Sequence, residues 1–185
     1  MQNANLIRVI DRRKGLPVAL GILLLHAART QGWRMQGLNF PGHFLLRLEH
    51  AGERLVLDPF RRARQLDAGD LRQLLKQMTG TEAELSPEHF RPVGNRDILL
   101  RLQNNIKSRA LQSGDNERAM AVLRSMLLLA PQHALAWREL ALLEANQGQL
   151  QSALSALEHY HRHAADERAR RDAATLLQHY RSQLN

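Results

Sequence analysis

Arg13-Lys14-Gly15-Leu16-Pro17, then Gly42-His43, then Asp58-Pro59: these three short stretches decide how the N-terminal half of the chain is read. Gly15-Leu16-Pro17 interrupts a helical segment, Asn3 to Arg12, in which Leu6, Val9 and Ile10 fall on one face. Pro17 suits the first residue of the next helix, because its missing N–H would be unpaired there in any case. That helix is expected to run to Thr30. It is apolar nearly all round (Val18, Leu20, Ile22, Leu23, Leu24, Leu25), so it should be buried on most sides at the centre of its domain.

Beyond it the period changes from helical to two. Met35 to Asn39, His43 to Glu49 and Arg54 to Asp58 read as strands, with His50-Ala51-Gly52-Glu53 between the last two. A two-residue turn at Ala51-Gly52 sets Glu49 opposite Arg54, Arg47 opposite Val56 and Leu45 opposite Asp58. His43 is then diagonal to Asp58 on the same sheet face, within side-chain reach. A slip of one residue would put them on opposite faces, so this contact depends on the register. Asp67 to Met78 reads as a helix ending near Gly80, and Thr81 to Gly94, with Pro87, Pro92 and Gly94, as an irregular linker.

A histidine held by a carboxylate is the base of a nucleophilic site, and the start of a helix is where a thiol pKa is lowered. This chain contains no cysteine. Taken alone, His43 reads equally as a structural histidine on a half-buried strand, and Asp58 as a strand-end carboxylate before Pro59. The surrounding residues add a resemblance. Asp11 to Pro17, Phe40-Pro41-Gly42-His43-Phe44 and Leu57-Asp58-Pro59-Phe60, with Gly32 beyond the helix, resemble the transglutaminase-like core. They are most similar to its SirB-type subfamily, which joins that core to tetratricopeptide repeats.

The resemblance implies an α+β, papain-like core with a central buried helix against an antiparallel sheet. It implies that His43 and Asp58 are vestigial catalytic residues and that Pro17 stands at the Cys position, which argues against acyl-transfer activity. It also implies further helices upstream of the first residues here.

The C-terminal part repeats. Residues 100–133 align with residues 134–167 at a spacing of 34, matching Gly114 to Gly148, Ala119 to Ala153 and Leu123 to Leu157. Pro131 closes the first unit, and Trp137-x-x-Leu140 fits the paired antiparallel helices of tetratricopeptide repeats. Gln103 and Glu144 depart from that pattern, standing where Trp and Tyr are usual. Asp172 to Leu184 would be the capping helix that such arrays require. The expected domains are therefore residues 1–94, the transglutaminase-like core, and residues 95–185, the all-α repeats.

Composition narrows the function. Without cysteine there is no disulfide, no Cys-ligated zinc and no thiol catalysis. The formal net charge is +8, carried almost wholly by arginine, since only Lys14, Lys76 and Lys107 are lysines. The longest basic run, Arg61-Arg62-Ala63-Arg64, has few aromatics near it to stack bases, which weighs against a nucleic-acid partner. Arg12-Arg13-Lys14 before the apolar run Leu16 to Leu25 mimics a signal peptide, but that run is about half the ~20 residues a membrane span needs. His159 and His163 have a metal-ligand spacing without an evident third ligand, so neither a metal site nor a cofactor is expected.

The function expected is a cytoplasmic, non-catalytic protein built on a degenerate core, binding a protein or peptide and not a membrane. One alternative is a non-thiol hydrolase using a His43–Asp58 dyad. A further alternative is nucleic-acid binding through Arg61, Arg62 and Arg64.

Overall fold

A computed structural model describes residues 2–184. They divide into two compact units between Leu102 and Gln103.

The first unit begins with a short helix, α1 (Leu6–Arg12), followed by α2 (Pro17–Thr30). Pro17 does open α2, with Leu16 in extended geometry before it. A five-stranded antiparallel sheet follows, made of β1 (Arg34–Leu38), β2 (Leu46–His50), β3 (Glu53–Asp58), β4 (Arg64–Leu66) and β5 (Pro92–Val93) in the order β4-β3-β2-β1-β5. The β2–β3 hairpin turns at Ala51 and Gly52, both at positive φ, as a two-residue turn of matching twist requires. Its register pairs Glu49 with Arg54 and Arg47 with Val56, as read from the sequence.

Two sheet faces result. Met35, Gly37, Leu46, Leu48, Leu55 and Leu57 share the face toward α2, which buries Val18, Ala19, Gly21, Leu25 and Ala28 and leaves Ile22, Leu23 and Leu24 half-buried. The opposite face packs against α3 (Ala68–Thr79). Leu38, Phe40, Leu45, Leu66, Leu71 and Leu75 form that core, each buried side chain contributing roughly 1.5–3 kcal/mol relative to exposure. Asp67 caps α3 in a reciprocal capping box with Asp70.

Three local expectations are corrected. His43 lies before β2, because the strand starts at Leu46. The stretch expected to be irregular linker supplies β5, whose Pro92 and Val93 pair with Leu38 and Gly37 at a sheet edge, where a proline is tolerated. Ile10, expected on the inner face of α1, is 59% exposed, and Val9 alone is fully buried there.

The helix α4 (Asn95–Gln112) begins in the first unit and ends in the second, which continues with α5 (Asn116–Leu129), α6 (Ala134–Asn146), α7 (Leu150–His163) and α8 (Glu167–Ser182). The repeat is visible at equivalent turns: Gly114 and Gly148 both take φ of +72°, where a side chain would be strained. Ala119, Leu123, Ala153 and Leu157 are completely buried, the small residues allowing close helix approach. Residues of α8 close the array, with Ala173 packed beside Tyr160 and Leu157.

Candidate functional site

The segment before β2 is shaped by Gly42. His43 N–H donates to the Pro41 carbonyl at 2.7 Å, a three-residue turn with Gly42 at φ +65°. A Cβ on Gly42 would also lie 2.9 Å from Sδ of Met78. This tight turn aims the imidazole at the end of β3. There His43 Nε2 lies 3.1 Å from Asp58 Oδ2. The approach is too bent for a well-aligned N–H···O bond, so the contact is electrostatic in character.

Asp58 is 1% exposed, and three donors surround it. Its Oδ1 accepts from Phe60 N–H at 2.9 Å, capping the 3-10 turn Pro59–Arg61. Its Oδ2 meets His43 and, at 3.7 Å, Arg61 Nε. A carboxylate this deeply buried needs such partners, because an unpaired one would neutralise or destabilise the fold. The Arg61 contact was not legible in the sequence. It depends on the 3-10 turn Pro59–Arg61, which folds Arg61 back onto the residue three before it. Asp58 and Arg61 line a small polar cleft of about 60 Å³ against Leu66, Asp70 and Gln73.

The helix that Pro17 opens borders this neighbourhood. The helix α2 packs on β1 and on the Pro59–Arg61 turn directly after Asp58. Gly21, one turn into α2, faces the ring of Phe44, the residue after His43; a Cβ there would lie 2.3 Å from Phe44 Cε1. The helix starts with Pro17 at its first position and without a side-chain cap. With Nε2 turned to Asp58, Nδ1 is the ring nitrogen left for any other group.

The chain belongs to the transglutaminase-like superfamily. The family model of that description matches residues 1–104, and a tetratricopeptide-repeat model matches residues 106–178. Among curated proteins, a "UPF0162 protein" of Xylella fastidiosa is 33% identical over 162 residues, covering 86% of this chain and 58% of the relative. A "UPF0162 protein" of Vibrio cholerae is 38% identical over 112 residues, covering 60% of this chain and 41% of the relative. "Protein SirB1" of Salmonella typhimurium is 28% identical over 139 residues, covering 75% and 51%. These relatives make the chain a SirB-type member of the superfamily. It spans less than two thirds of their length.

In this SirB-type chain the other charged candidates take structural roles. Arg64 is bound to Asp70 at 3.1 Å and Arg61 to Asp58, which leaves Arg62 as the free member of the basic run among the described residues. His159 stacks on Trp137, with ring centroids 4.2 Å apart and 12° between planes, and no cluster of three metal-ligating side chains forms among the described residues. Glu144 is buried and takes the Arg124 guanidinium at 2.7 Å, which explains how a carboxylate survives where an aromatic is usual. Asp172 accepts from Arg138 Nε at 2.7 Å and from Tyr160 Oη at 3.1 Å. The Arg138 hydrogen bond holds the Asp172 pKa below the ordinary aspartate value, and burial, with Asp172 beside it, raises that of Tyr160. No helix among the described residues is long and apolar enough to cross a membrane.

Proposed function

We propose that this chain is a non-catalytic interaction protein, cytoplasmic in location, in which a transglutaminase-like domain has lost its nucleophile and tetratricopeptide repeats recruit a protein or peptide. The observation that carries the reading is Pro17 at the first position of α2, in a chain with no cysteine. Thiol attack requires a sulfur that a proline-capped helix does not offer. His43 and Asp58 act here as a retained structural pair. Their contact ties the Pro41–His43 turn to the end of β3. By function the chain divides into the core, residues 1–94, and the repeats with their cap, residues 95–185, with the first turns of α4 belonging to the compact unit of the core.

The 3.1 Å contact of His43 with Asp58 also favours a second reading, a hydrolase in which the imidazole activates water. The two readings separate in a screen of ester and amide substrates with His43→Ala as control. The interaction reading predicts equal background rates in both proteins. Turnover that disappears in the variant would overturn it.

A further inference from the structure

A groove runs between α2 and the first turns of α4, wholly within the first unit. Its floor is Ile22, Leu25, Ile98 and Leu99; His26 and Arg29 stand on its rim, and its volume is about 280 Å³. The two helices run antiparallel along it. Arg29 Nη2 donates to Asn95 Oδ1 at 2.9 Å at one end. At the other, the Arg101 guanidinium lies 5.5 Å from the centre of the Phe44 ring, which itself rests on Gly21.

Two properties single this groove out. Its floor is apolar and partly open: Leu99 is 40% exposed, and Ile22 is half-buried. Among the described residues, the cations at its rim and ends enter no ion pair: neither Arg29, His26 nor Arg101 takes part in those of this unit, which use other basic residues. The acid carried by this part of α4, Asp97, is occupied in accepting from Gly94 N–H at 3.1 Å. Arg101 is desolvated enough to lower its pKa, with no anion opposing that shift. A half-buried guanidinium resting only on a ring face gains from a carboxylate that approaches it.

We propose that this groove docks an acidic amphipathic helix of a protein partner. Two apolar side chains one turn apart would seat on the Ile22, Leu25, Ile98 and Leu99 floor, and flanking carboxylates would meet Arg29 and Arg101. The stretch from Ile22 to Arg29 rises about 10 Å, two helical turns, which accommodates that anchor spacing. The inference rests on the interaction reading of the chain, but it uses neither the His43 cleft nor the repeats.

The test titrates the intact chain into a labelled peptide of about 14 residues, with leucines at helical spacing and glutamates on both flanks. A lysine-for-glutamate version and a scrambled acidic version serve as controls. Saturable binding of the first peptide alone is expected, weakening as salt is raised, with amide shifts in the NMR spectrum at Ile22, Leu25 and Leu99. Arg29→Glu and Leu99→Asp, both at exposed positions, should each lower affinity about tenfold while the circular-dichroism spectrum stays that of the parent. Absence of saturable binding, equal binding of the lysine or scrambled peptide, or indifference to both variants would overturn the proposal. So would self-association removed by Leu99→Asp, or shifts at these residues with decanoate but not with the peptide. Partners still recruited through the repeats after such a failure would leave the interaction reading standing and sink only this groove.

Discussion

His43 and Asp58 come from opposite flanks of one hairpin and meet at 3.1 Å, the ring anchored by the Pro41–His43 turn and the carboxylate by the turn that follows β3. Neither side chain would reach the other if the hairpin slipped by one residue. The contact therefore reports on the register of the β2–β3 hairpin.

Gly42→Ala should loosen this pair. Alanine at φ +65° costs about 1–2 kcal/mol, and the new Cβ also presses on Met78. Urea unfolding should show a loss of roughly 2 kcal/mol, partly recovered when Met78→Ala is added, because the side-chain clash is relieved while the backbone strain remains. Full recovery in the double variant would mean that the positive φ carries no penalty.

Arg124 and Glu144 give an asymmetric pair of variants. Arg124→Ala leaves a buried carboxylate without its guanidinium and should destabilise by about 1–3 kcal/mol. Glu144→Leu removes the buried charge itself and should be neutral or stabilising. Thermal melts of both variants check the sign. Equal losses would show that the ion pair stabilises the repeats outright.

Asp172 predicts an acid limb of stability. Its folded-state pKa is depressed, chiefly by the Arg138 hydrogen bond, so the stabilisation is present above the ordinary aspartate value and is lost as pH falls through the folded value. Arg138→Ala should flatten that limb in urea melts taken across the acid range. Tyr160→Phe, which removes a lesser contributor, should flatten it less.

The start of α2, the hairpin register and the repeat were legible because each is a local signal: a proline after a break, alternation across a two-residue turn, and paired glycines 34 residues apart. The strands β4 and β5 were not. They are three and two residues long, too short to carry a period, and exist by pairing with β3 and β1. The half-exposed side of α2 was hidden for another reason. A run of consecutive aliphatic residues has no periodicity from which to tell an inner from an outer face. At the site, the two side chains could be paired from register, but Arg61 reaches it through a short 3-10 turn and Met78 from the last turn of α3, neither of which a local pattern encodes.

The central claim, a nucleophile position now filled by proline, is tested most directly by Pro17→Cys, which creates the sole thiol in the protein. Alkylation with iodoacetamide as a function of pH reads its thiolate. The account predicts titration well below the ordinary cysteine value of about 8.5, with His43→Ala moving it back up. A thiol that titrates as free cysteine and ignores the loss of His43 would contradict it.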